Sequence, residues 1–136
     1  MNMTGRKLNQ AEKGLGFLVN SLGYKQGKKI KTGATYKGRS ITRPNLGTGD
    51  YFLNCIWTFN KPDGYKTNME LDCAMPNFKL DIEVDGMVFH DRERDINRDA
   101  ILKYNEWSII RIPSDCVYDT FIPLAYNIKD AKKRVM

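Results

Sequence analysis

Between Tyr51 and Gly86 the chain reads as three strands joined by two tight turns, and this run does most to limit what the whole can fold into. Tyr51 to Asn60 (YFLNCIWTFN) is rich in aromatic and β-branched residues, which suit a pleated, half-buried surface. Lys61-Pro62-Asp63-Gly64 follows, combining the fixed φ of proline with the permissive backbone of glycine. Further strands are expected at Lys66 to Ala74 and Lys79 to Gly86. They are separated by Met75-Pro76-Asn77-Phe78, where Pro76 has no N–H to give a ladder. Three consecutive antiparallel strands result.

Around them the pattern turns helical. Leu8, Leu15, Leu18, Val19 and Leu22 predict a first helix over 8 to 22, although Gly14 and Gly16 each cost up to about 1 kcal/mol relative to alanine. Gly23 to Asp50 holds six glycines and few apolar residues, so it reads as loop with one short strand near Tyr36 to Ile41. Arg92 to Tyr104 places Ile96, Ala100 and Tyr104 on one helical face, and Asn105 offers a stop. Trp107 to Ile112 is a short β-branched strand, so Lys79 to Ile112 forms a strand–helix–strand unit with its two strands parallel. A last helix over Asp115 to Lys129 is expected to break at Pro123, leaving a basic tail over 129–136. The fold class is therefore α/β: one domain over 1–136, with a mixed central sheet flanked by helices.

Composition agrees with a globular chain of 136 residues, 41% hydrophobic and 28% charged. No apolar run approaches the roughly 20 residues that cross a bilayer, and Met1 to Gln10 lacks an apolar core, so a cytoplasmic protein without membrane contact is expected. Cys55, Cys73 and Cys116 stand far apart with no zinc-like spacing and read as buried thiols. The net charge of +6 is uneven: residues 1 to 49 carry +9 and residues 50 to 136 carry −3. Lys28, Lys29, Lys31, Arg39 and Arg43 lie in the basic, loop-rich segment 23–50, where cations suit the neutralisation of phosphates.

The acids concentrate elsewhere. With a turn about Pro76-Asn77, Asp72 would lie opposite Asp81, and alternation would put Asp72, Asp81, Glu83 and Asp85 on one face. Carboxylates this close raise each other's pKa unless a cation sits between them, and oxygen ligands suit Mg²⁺ or a similar hard ion. The alternative is a solvated acidic face on an edge strand. His90, the only histidine, follows the acid strand and titrates near neutrality, as a general acid or base must. Cations for phosphates beside carboxylates for a metal are the two needs of a metal-dependent nuclease. Trp57, Phe59 and Trp107 read as core.

These residues resemble the Vsr-like branch of the PD-(D/E)XK nuclease superfamily and the related homing endonucleases with an E, D, x-H-D motif. The likeness spans about residues 8–113. It runs through Gln10-Ala11-Glu12-Lys13, Leu71-Asp72-Cys73, Ile82-Glu83-Val84-Asp85-Gly86, Phe89-His90-Asp91, Glu93-Arg94-Asp95 and Trp107 to Ile112. The resemblance implies a restriction-endonuclease-like core, with Asp72 as the metal-binding aspartate and His90 as the catalytic histidine. It implies Glu12 and Asp95 as supporting acids and Glu83 as the glutamate of the E-x-K motif. Asp85 stands where that motif has lysine, and Met87 where the repair enzymes have a zinc-binding cysteine, so no structural zinc is expected.

The activity so implied is hydrolysis of DNA phosphodiesters, by nicking or double-strand cleavage. Mg²⁺ or Mn²⁺ would be held by Asp72 with Glu83 or Asp85. Arg92 and Arg94, with Arg98, read either as phosphate contacts or as ion pairs with Glu93, Asp95 and Asp99. A phage or mobile-element origin fits the resemblance, and so small a domain needs modest selectivity, a homodimer or a targeting partner. The competing readings are a catalytically inactive nucleic-acid-binding module on a nuclease fold, and a structure-selective resolvase or RNase of the same superfamily.

Overall fold

A computed structural model of the chain describes residues 10–85, 92–113 and 121–135. The fold is mixed α/β. Among the described residues it comprises α1 (Gln10–Ser21), β1 (Lys29–Tyr36), β2 (Arg39–Pro44), β3 (Phe52–Asn60), β4 (Lys66–Met75), β5 (Leu80–Asp85), α2 (Arg92–Tyr104), β6 (Ser108–Pro113) and α3 (Phe121–Val135). The central sheet runs in the order β3-β4-β5-β6. Its first two pairings are antiparallel and the β5–β6 pair is parallel, as a strand–helix–strand unit requires.

Helices cover both faces. Leu15, Leu18 and Val19 of α1 and Leu124, Ile128 and Ala131 of α3 bury against Leu53, Cys73, Met75, Leu80 and Ile82. On the other face, Leu102 and Ile101 of α2 pack with Phe59, Met69, Leu71, Ala74, Trp57 and Trp107. Trp107 meets Trp57 and Phe59 edge-on, with centroids 5.6 and 5.3 Å apart, so these aromatics are core as expected. Gly16 has a reason in this packing. A Cβ on Gly16 would stand 3.1 Å from Leu53 Cδ1, and the Gly16 carbonyl accepts a hydrogen bond from the Tyr51 hydroxyl. Close approach of α1 to β3 thus offsets the propensity cost.

Four sequence expectations change. The segment Gly23 to Asp50 contains a β-hairpin, β1 with β2, closed by Lys37 and Gly38, both at positive φ. Two successive residues in that region make a tight hairpin turn, and the strands escaped notice because they bury little apolar surface. The helix α3 is continuous to Val135, since Pro123 lies in its first turn where no intrahelical N–H is needed. Its basic residues are therefore helical rather than a tail. The turn after β4 is a 3₁₀ turn, Pro76–Phe78, with Lys79 left-handed, and it sets Ala74, not Asp72, opposite Asp81. Lastly, α2 presents Leu102 to the sheet, leaving Ile96 and Tyr104 exposed.

One irregularity shapes the sheet. Cys73 faces the α1/α3 core while Leu71, two residues away, faces α2, although regular alternation would keep both on one side. The switch falls between the pairs Leu53↔Cys73 and Cys55↔Leu71, where Asn54 adopts a left-handed φ of 49°. Asp72 sits opposite this break. The core role of α3 makes a first prediction: Ile128→Ala should cost about 2 to 5 kcal/mol of unfolding free energy. Lys132→Ala, exposed one turn on, should change it by less than about 0.5 kcal/mol in the same denaturant titration.

Candidate functional site

The site grows from the end of the β4–β5 ladder. Backbone pairing runs through Met75↔Leu80, Ala74↔Asp81 and Cys73↔Ile82. One step further the carboxylates take over: the Asp72 N–H donates to Glu83 Oε2 at 3.0 Å, and the Val84 N–H donates to Asp72 Oδ2 at 2.8 Å. Two acidic side chains are thereby fixed across the strands by charge-assisted bonds to backbone. Asp72 and Glu83 face each other, and Asp81 follows on the same face by strand alternation. β5 lies inside the sheet and Asp81 and Glu83 are buried, so the cluster is not a solvated edge.

Charge compensation comes from α2. Arg98 Nη2 donates to Glu83 Oε1 at 2.6 Å and to the Glu70 carbonyl at 2.9 Å. Beside it, Arg111 of β6 makes a two-pronged pair with Asp99, at 2.6 and 2.7 Å, which holds the Asp99 carboxyl below its usual range. Arg111 is the β6 residue in register with Glu83, so two adjacent α2 residues are tied to two adjacent strands. Asn105 fastens the end of α2 by donating to the Ile101 and Asn60 carbonyls. Arg98 is therefore half-buried and paired with an acid on β5, 15 residues away, rather than with one on its own helix.

Asp81 is the unsatisfied member. It is fully buried and neither carboxylate oxygen has a hydrogen-bond partner. Burial pushes its pKa well above the usual range, the neighbouring Glu83 carboxylate adds to the rise, and Arg98 opposes it. Cys73, directly behind the cluster, is pushed up by burial first and then by Asp81, Asp72 and Glu83. Cys55 is likewise a buried thiol, pushed up to about 11 mainly by burial.

Asp72 and Glu83 are thus brought together among the acids expected to act. Asp95 and Arg94 lie on α2, and Arg94 lines an open cavity of about 530 Å³ between α2 and β4, together with Glu70, Asn97 and Arg98. Glu12 lies on α1, which packs on the opposite face of the sheet from α2. His90 and Cys116 are outside the described residues, as are the side chains of Glu12, Asp85 and Arg92. Among the described residues no three carboxyl, imidazole or thiol groups converge on one ion position. Lys28, Lys29, Lys31 and Arg43 are exposed on or beside the hairpin and Arg39 is half-buried. Glu70 separates the α2 cavity from a smaller cleft lined by Lys29, Arg39, Thr42 and Asn54. The roles of Arg98 and Asp81 were the ones sequence reasoning missed. Spacing held a signal for Arg98, which lies one turn before Leu102 on the inward face.

Removing Arg98 would leave Glu83 buried beside two other acids without its cation. Arg98→Ala should therefore lower stability by about 3 to 5 kcal/mol in chemical denaturation, whereas exposed Arg94→Ala should cost under about 1 kcal/mol. The Asp81 carboxyl adds a pH signature. Its folded pKa lies above the unfolded value near ~3.9, so its contribution to stability is complete below that value and is lost as pH rises through the folded pKa. In EDTA, Asp81→Asn should abolish that fall with rising pH, and an unchanged slope in melts from pH 4 upward would refute the assignment. No protein-family model, curated protein or solved structure matches this chain, so the chemistry open to the cluster follows from its own residues and their surroundings.

Proposed function

We propose that this chain is a metal-dependent DNA endonuclease on a restriction-endonuclease-like core, and that the facing carboxylates Asp72 and Glu83 mark its active site. The observation that carries the reading is their union across the β4–β5 opening, with an unpartnered buried Asp81 behind them and a basic hairpin beside them. A mixed sheet with a parallel strand–helix–strand unit and helices on both faces is compatible with such a core. So is the order of the motifs Asp72, Glu83-Val84-Asp85 and His90.

A hard divalent cation suits this donor set. The orphaned oxygens of buried Asp81 would be stabilised by a positive ion close by, and the proposed ligands are all oxygens. Asp72 and Glu83 supply two ligands, and Asp85, next but one along β5, is the proposed third. When bound, Mg²⁺ or Mn²⁺ would supply Lewis acidity toward the scissile phosphate. The chain's own groups do the rest. Arg98 holds one Glu83 oxygen and so fixes the carboxylate's rotamer. In this reading His90 moves the proton to or from the reacting oxygen, with Glu12 or Asp95 orienting the imidazole. The hairpin cations, with Arg92 and Arg94, hold flanking phosphates.

A second reading has its own observation. The Arg98–Glu83 pair already supplies a cation to the acids, as a nucleic-acid-binding module without catalysis would require. Incubation with supercoiled plasmid in Mg²⁺, Mn²⁺ or EDTA separates the two. Nicked or linear DNA should form only with metal. Asp72→Asn and His90→Ala should each lower the rate by about 100-fold or more while keeping the wild-type melting transition. DNA that is retarded in a gel yet left intact under every metal, with branched DNA and RNA also uncut, would favour the silent module.

A further inference from the structure

The basic segment that composition alone leaves as loop is a two-stranded ribbon with a defined shape. From Lys28 to Pro44 it carries six cations and no acid. Strand β1 is exposed along nearly its whole length, and β1 and β2 form a two-stranded sheet of their own whose β2 side packs beside β3. The ribbon is stiffened in two ways. Lys37 and Gly38 close it with positive φ at both turn positions, and a bulge at Thr32 to Ala34 bends it. The bulge is held by the Thr32 hydroxyl, which donates to the Ile41 carbonyl at 2.9 Å and accepts from the Ala34 N–H at 3.1 Å.

Its base is fastened near the acids. The Lys28 N–H donates to Thr48 Oγ1 at 2.8 Å, and the Asn45 N–H donates to the Lys28 carbonyl at 2.9 Å. The Thr42 hydroxyl donates to the carbonyl of Asn54, the residue at the sheet irregularity opposite Asp72. A ligand lying along the ribbon is therefore indexed to the strand pair that presents the carboxylates.

We infer that this ribbon is a groove-reading arm for double-helical DNA, so that the substrate is a B-form duplex rather than duplex RNA or a single strand. Charge selects a polyanion, and shape selects among polyanions. A two-stranded ribbon fits the B-DNA major groove, about 12 Å wide, whereas the A-form RNA major groove is too narrow and deep to admit one. Eight residues of β1 reach roughly 26 Å, enough to follow the groove across several base pairs. The inference rests on the nucleic-acid part of the proposed function and is independent of the carboxylate chemistry.

Binding is measured by fluorescence anisotropy in EDTA, so that cleavage plays no part, with 20-bp DNA, the same sequence as RNA duplex, and single-stranded DNA. Wild type should hold duplex DNA at least ~10-fold more tightly than either alternative. The exposed triple Lys31→Gln/Lys37→Gln/Arg43→Gln should weaken duplex DNA binding ~10-fold or more and flatten the log K against log salt slope by about two to three. The equally discharged triple on α3, Lys129→Gln/Lys132→Gln/Lys133→Gln, should change affinity less than about threefold. Equal losses in the two triples, or equal affinity for RNA, overturn the inference, as does binding only to phosphatidylserine-containing vesicles. Duplex binding with these signatures but no cleavage in metal would instead remove the nuclease reading and leave the arm intact.

Discussion

The acidic face of the sheet depends on one guanidinium. Asp72, Asp81 and Glu83 are gathered on β4 and β5 under a helix, and Arg98 reaches down from it to contact Glu83 directly. Low polarity strengthens this attraction and equally the repulsion it offsets, so the pair is less a source of net stability than a condition for burying the acids at all. The same residue explains the orientation of α2. Had the helix turned Ile96 and Tyr104 to the sheet, as an apolar-face argument expects, the acids would have met hydrocarbon.

The other constraint is the break at Asn54 and Asp72. Where alternation fails, the β4–β5 ladder hands over from carbonyl to carboxylate, and the Thr42 contact brings the hairpin to the same place. An irregularity of one residue step thus sets the positions of both charged systems, negative in the cleft and positive on the arm.

Much of this was legible. The bounds of α2, the parallel β5–β6 pair, the β3–β4 turn and the shared face of Asp72, Asp81 and Glu83 all follow from periodicity and turn chemistry local to each segment. What escaped depended on tertiary surroundings. Register between β4 and β5 turned on Lys79 adopting a left-handed backbone, which a lysine does not advertise. The hairpin lacked apolar alternation because it has almost nothing to bury. Pro123 looked like a break because its distance from the helix start was not known. Arg98 looked like a surface charge because its partner lies 15 residues away on a strand. The positions of Asp72 and Glu83 followed from alternation, whereas the orphaned state of Asp81 required the third dimension.

The route by which the acids are assembled has a kinetic side. Strands β3 to β5 are joined by short turns and can pair early, since closing small loops costs little entropy. Arg98 and β6 come only with the crossover, whose parallel pairing spans a longer stretch of chain. Three carboxyl groups are therefore brought together before the guanidinium that compensates them. The step that completes the sheet is also the step that brings Arg98 to Glu83, so the crossover closes the fold and supplies the acid strand's guanidinium together.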